Sequence, residues 1–125
     1  ATYHQIAKEL NVNIIPTGDA FWLMTKKPKW SYQADPNFNK LNFTPPTLPD
    51  QSLSLHVGYY WAGKEMRFDD RHANVAGQYL GSLVWFGYLY NQSPKKVKFM
   101  PEKLSSGFAK QLRKTAYNAI KNSIK

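Results

Sequence analysis

The chain has 125 residues and no cysteine, which excludes disulfides, thiolate nucleophiles and cysteine metal sites and bounds it to one domain or a part of one. Its 42% hydrophobic content, with four Trp, eight Tyr and seven Phe, excludes a disordered chain, and its longest apolar run, residues 83–89, falls far short of the roughly 18 residues of a membrane span. The net charge of +9 is unevenly placed: residues 93–125 carry nine basic residues against Glu102 alone, so almost all of the excess sits in the tail.

Tyr3, Ile6, Ala7 and Leu10 recur at helical spacing, which predicts a helix over residues 2–10 ended by Asn11, with His4 a surface or helix-end residue. Val12, Ile14 and Ile15, closed by Pro16, predict a short buried parallel strand. Thr17 or Asp19 can then cap a new helix, which carries Phe21 and Trp22 as core or as substrate wall. Five of the eight prolines fall between residues 28 and 49, so residues 25–51 read as an irregular insertion. Trp30, Tyr32, Phe38 and Phe43 make it a lid or substrate-binding insertion rather than a disordered linker. Leu53, Leu55 and Val57 alternate before the run Tyr59, Tyr60, Trp61, which predicts a strand ending near a site or an aromatic platform suited to sugar rings. A metal reading would pair His56 with Asp69 and His72, but no fourth ligand or metal-type spacing supports it.

Asp69 and His72 stand three positions apart, in a turn that leads into a helix. A carboxylate so placed can orient an imidazole and stabilise its protonated form, which is the acid–base part of a catalytic triad. The bland alternative is that Asp69 or Asp70 caps the helix and His72 is an ordinary, partly buried histidine. Asn74 is a fair N-cap for a helix running to about Tyr90, in which Ala73, Gly77 and Gly81 form a smooth stripe. Three helical glycines predict close packing against a sheet, with Val75, Leu80, Leu83, Val84 and Trp85 filling in. After Pro94, Ser105 or Ser106 can cap a closing helix with Phe108, Leu112, Ala116, Ala119 and Ile120 on one side. Lys110, Arg113, Lys114, Lys121 and Lys125 lie on its other side, as a solvated face or one that binds polyanions.

The block Asp69-Asp70-Arg71-His72, followed by Asn74, Gly77 and Tyr79-Leu80, resembles the last block of SGNH/GDSL-type serine hydrolases. Residues 6–20 resemble the helix and strand that come shortly before it. The resemblance implies an α/β fold: the C-terminal portion of a flavodoxin-like, three-layer SGNH-hydrolase sheet, helix-rich in this stretch. Residues 1–92 would be the C-terminal half of the domain with the insertion at 25–51, and residues 93–125 its basic closing helical segment. The implied chemistry is ester hydrolysis by an esterase or acetylesterase, with His72 as general base and acid, Asp69 as its orienting carboxylate and Asp70 as the fallback. The family's Gly-Asp-Ser nucleophile block and its oxyanion-hole blocks are absent, and Gly18-Asp19 is followed by Ala20, so the serine is expected upstream and this chain alone is expected to be inactive.

Phe21, Trp22, His56, Tyr59, Tyr60 and Trp61 are the expected substrate-binding residues. The expected partners are a small ester or acylated carbohydrate and the upstream half of the same domain, with no cofactor and no metal; a carbohydrate-active role would favour a secreted or periplasmic setting. Nucleic acid is disfavoured, since there is no RNP-type strand, helix-turn-helix signature or zinc-finger spacing. The alternative function is a non-catalytic, basic, aromatic-rich module that binds acidic glycan or another polyanion.

Overall fold

Four helices and one antiparallel hairpin organise residues 2–123, which are the residues that the computed structural model of the protein describes; Lys125 of the expected basic face lies outside them. In order these are α1 (Thr2–Leu10), α2 (Thr17–Thr25), β1 (His56–Ala62), β2 (Glu65–Ala73), α3 (Val75–Tyr90) and α4 (Ser106–Ser123), so the chain is a small α/β protein. None of these helices is long and apolar enough to cross a membrane.

The core is a three-helix packing of α2, α3 and α4. Phe108, Ala109, Leu112, Thr115, Ala116 and Ala119 are buried on α4 at helical spacing, and they meet Ala20 and Met24 of α2 and Leu80, Leu83 and Val84 of α3. The Thr115 hydroxyl, the polar group in this interior, lies 3.1 Å from Met24 Sδ and accepts a bond from Gln111 Nε2 at 3.0 Å. Local signals place the helix ends. Asn11 and Asn91 adopt left-handed backbone, at φ +52° and +51°, and end α1 and α3. Ser105 rather than Ser106 caps α4, its Oγ accepting the Phe108 N–H at 3.2 Å.

Several expectations are corrected. Val12, Ile14 and Ile15 form no strand: the segment between α1 and α2 is an unpaired connection, because no second strand lies beside it among the described residues. Neither Thr17 nor Asp19 caps α2; the helix follows Pro16 without a side-chain cap, and the Thr17 hydroxyl is buried without a partner. Of the predicted apolar face of α1 only Ala7 is buried, while Ile6 and Leu10 are exposed. α3 packs against α4 and α2, not against a sheet, and Trp85 and Val75 point outward.

The hairpin stands beside this core and holds the insertion. Tyr59 opposes Phe68 across the ladder, their rings 4.6 Å apart, and Phe38 of the insertion packs at a tilt against Tyr59 at 4.5 Å and edge-on against Phe43 at 5.0 Å. Trp61 Nε1 donates to the Thr47 carbonyl at 2.8 Å, and Gln51 brackets Tyr59, accepting its N–H at 2.7 Å and donating to its carbonyl at 3.0 Å. Residues 25–51 therefore have almost no regular structure, but they are docked through aromatic contacts and a few directed hydrogen bonds.

The glycines of α3 are not equivalent. A Cβ on Gly77 would collide with the Leu55 carbonyl oxygen, whereas one on Gly81 would meet only Thr17 Cγ2 at 3.7 Å. The stripe proposed from spacing is thus tight at one end and open at the other. Gly77→Ala should destabilise the fold by about 1–3 kcal/mol through overpacking. Gly81→Ala should be neutral or stabilise by up to about 1 kcal/mol through helix propensity. Denaturant midpoints measure both, and equal shifts of the same sign would contradict this packing.

Candidate functional site

The Asp69 region is not the simple turn expected from the sequence. It is the last part of β2, distorted by a bulge: Gly58 opposes Asp69 and His56 opposes Ala73, so one residue of β1 faces three of β2, namely Asp70, Arg71 and His72. Gly58 accommodates the irregularity at φ +69°, a left-handed conformation in which a Cβ would also strike the Gln51 side chain.

One carboxylate organises the bulge. Asp69 Oδ1 accepts the N–H groups of Arg71 at 2.9 Å and His72 at 3.0 Å, and Oδ2 lies 2.7 Å from His72 Nδ1. These bonds, that to the His72 amide foremost, hold the Asp69 carboxyl at about 2, below the usual carboxylate range. An ionised Asp69 accepts from Nδ1–H, which leaves Nε2 as the basic nitrogen of a neutral imidazole. The Asp69 side chain is 25% exposed and that of His72 80%, so the carboxylate is sheltered and the imidazole projects. No hydroxyl hydrogen-bonds to His72 Nε2 among the described residues. Asp70, the fallback acid, is exposed and makes no such contact, which favours Asp69 as the orienting group.

Asn74 anchors the end of this unit. Its Oδ1 accepts the Gly77 N–H at 3.0 Å and caps α3, while its Nδ2 donates to the carbonyls of Ser54 at 2.7 Å and His56 at 2.9 Å. Its backbone N–H donates to the Leu55 carbonyl at 3.1 Å. The start of β1 and the start of α3 are thereby tied to the residue two positions after His72. This double role was not legible in the sequence, where Asn74 signals only a cap.

The other expected site residues divide into two groups. Phe21, Trp22 and His56 line one cavity of about 340 Å³, with the Phe21 and His56 rings 5.7 Å apart. Tyr59 and Trp61 instead hold the insertion, and Tyr60 is exposed on the hairpin. The cavity wall also includes Trp30, Tyr32 and Gln33 of the insertion, which spacing alone could not bring to Phe21. Asp69 and His72 are not part of its lining, but His56 sits across the ladder from Ala73, the neighbour of His72.

A second histidine–carboxylate pair joins α1 to α2. His4 Nε2 lies 2.8 and 3.0 Å from the two Asp19 oxygens, and Tyr3 stacks on His4 at 4.5 Å. Burial and the Asp19 carboxylate push the Tyr3 hydroxyl up to about 12. The pair differs from Asp69–His72 in the nitrogen engaged: here Nε2 faces the carboxylate, and Nδ1 is left as the basic nitrogen of a neutral ring. Asp19 also sits in the first turn of α2, where the helix dipole favours its negative charge. His4 and Asp19 are a clasp between helices. No group of three His, Asp or Glu side chains converges as a metal set among the described residues.

Two measurements probe the site's architecture. Asp is as good an N-cap as Asn, yet Asn74→Asp should destabilise by on the order of 1–3 kcal/mol, because it sets a carboxylate oxygen against two carbonyls that have lost their donor. An unchanged melting temperature would remove the anchoring role. Since Asp69 is depressed to about 2 when folded against about 3.9 in the unfolded chain, its contribution is complete above pH 4 and is lost as pH falls through 2. The Asp69 carboxyl resonance should therefore titrate near 2, with the Arg71 and His72 amides shifting alongside. Titration near 4 would show that the carboxylate does not hold the bulge.

The chain matches no family model, no curated protein and no solved structure.

Proposed function

We propose that Asp69 and His72 are the acid–base pair of an SGNH-type serine esterase or acetylesterase, acting on an acylated carbohydrate or another small ester. The observation that carries the reading is the pairing of Nδ1 with a sheltered, doubly bonded carboxylate while Nε2 stays exposed without a partner. A serine hydroxyl brought to Nε2 gives up its proton to His72 as Oγ attacks the ester carbonyl. Asp69, anionic at any pH well above 2, stabilises the imidazolium and keeps the ring in register. The imidazolium then protonates the departing alcohol, and the same base activates the water that releases the acid.

Neither the serine nor the oxyanion hole is identified within residues 1–125, so both belong to a further segment in this proposal. Three surfaces support a missing neighbour that would complete a three-layer sheet. The backbone groups of Asn13 and Ile14 make no backbone hydrogen bond among the described residues, so the segment is free to pair as an inner strand. Ile6, Leu10 and Val12 are exposed beside it. On α3, Trp85, Leu89 and Tyr90 are more than half exposed, an apolar face of the kind that an adjoining half-domain covers.

Polyanion binding without catalysis is favoured by one feature, the exposed Lys110, Lys114 and Lys121 of α4. Arg113 is partly withdrawn from that face, as its Nη1 donates to the Tyr79 hydroxyl at 3.2 Å.

In the longest natural polypeptide that contains these residues, His72→Ala should lower kcat for an activated acetyl ester by on the order of 10³-fold or more. Asp69→Asn should follow closely and Asp70→Asn should cost far less. Residues 1–125 alone should be no faster than free imidazole. Activity indifferent to His72, or full activity from residues 1–125 alone, would sink the assignment.

A further inference from the structure

We infer that the cavity between α2 and the insertion is a subsite for a pyranose bearing a carboxylate, and that it seats the alcohol part of the ester beside His72. The catalytic half of this statement rests on the esterase reading; the binding half does not. Its volume of about 340 Å³ is that of a small-ligand site. Phe21 and Trp22 come from α2, and Trp30 and Tyr32 from the insertion, so flat apolar rings approach from two separate elements. A pyranose presents axial C–H groups on its faces and hydroxyls at its rim, which suits a slot with aromatic sides and polar ends.

Polar groups stand where the rim would fall. Gln33 donates Nε2 to Ser31 Oγ at 3.1 Å, which leaves its amide oxygen free to accept a sugar hydroxyl. His56, at the end toward β2, offers an imidazole beside the Phe21 ring.

Charge selects the acidic sugar. The Lys26 and Lys29 ammonium groups lie 4.9 Å and 5.7 Å from the Trp22 and Trp30 ring centroids, so two cations rest over rings of the cavity wall. No Asp or Glu belongs to the wall. Asp50 lines the smaller adjoining cleft, where its carboxylate accepts the Ser52 N–H at 3.0 Å. Lysines parked on aromatic faces can swing to a sugar carboxylate without unfolding anything. Trp22 is well exposed and Tyr32 partly so, which leaves the slot open to solvent.

The position gives the subsite its meaning. His56 opposes Ala73 in the ladder, so a sugar against His56 lies next to the bulge that carries His72. In the esterase reading, the ester-bearing end of that sugar is the end at His56, the side of the ladder that leads to His72.

The test uses the natural polypeptide containing these residues, with methyl glucuronoside as probe and methyl glucoside as its uncharged control, followed by saturation-transfer difference NMR. The glucuronoside should bind saturably and about tenfold more tightly than the glucoside. Trp22→Ala should weaken binding of both by on the order of tenfold, while Lys26→Gln combined with Lys29→Gln should abolish the preference and its salt dependence. All three side chains are exposed, and circular dichroism checks that the variants fold. His72→Ala should leave binding intact. Equal affinity for the two glycosides would overturn the acidic class, and binding indifferent to Trp22 and to the two lysines, or no saturable binding, would overturn the subsite. Binding as expected in a protein whose esterase activity ignores His72 would sink the catalytic reading alone.

Discussion

The side-chain amide of Asn74 is the interaction on which the site depends. One residue caps α3, donates to two carbonyls at the start of β1, and through its backbone fixes the Leu55 carbonyl against which Gly77 packs. The exit of β2 and the entry of α3 are thus held at one point, and the bulge between Asp69 and Ala73 has both of its ends fixed. Any side chain at position 77 would push against the same carbonyl that receives the Asn74 N–H. Position 77 and position 74 are therefore one constraint seen from two sides.

With the ends fixed, a single carboxylate decides what the bulge presents. Asp69 takes two amides on one oxygen and the imidazole on the other, so its charge is distributed over three donors and needs no further partner. The His4–Asp19 pair uses the same residue types and nearly the same distances to join two helices, with Nε2 as the nitrogen engaged.

The insertion is ordered by a few aromatic contacts rather than by regular structure. Phe38 packs on Tyr59 with Phe43 against it, Trp61 reaches the Thr47 carbonyl, and Trp30 stacks nearly parallel on Phe108 at 6.0 Å, so the loop is anchored to the hairpin at one end and to the helical core at the other. Anchoring at both ends gives the cavity beside α2 fixed walls although its lining comes largely from a loop. The uneven charge is a separate layer. Most of the basic excess lies on α4 and the segment before it, where Lys95 Nζ sits 3.9 Å from the Tyr117 ring centroid and Arg113 is drawn to Tyr79.

Features set by neighbours within a few residues could be read directly from the chain. The ends of α1 and α3 at Asn11 and Asn91, the Asn74 cap, the amphipathic α4 and the pairing of Asp69 with His72 all arise from local hydrogen bonding and spacing, and each was legible. Features that need a distant partner emerged only once the chain was folded. Val12, Ile14 and Ile15 read as a strand, yet a strand exists only where another strand accepts its hydrogen bonds. The glycine stripe of α3 read as uniform, yet Gly77 meets a carbonyl from β1's approach while Gly81 meets little, since the helix repeat does not reveal what lies opposite. Tyr59 and Trp61 read as a ligand platform and became the insertion's anchor, and Trp30 and Tyr32 joined Phe21 and His56, because loop closure rather than periodicity chose their neighbours.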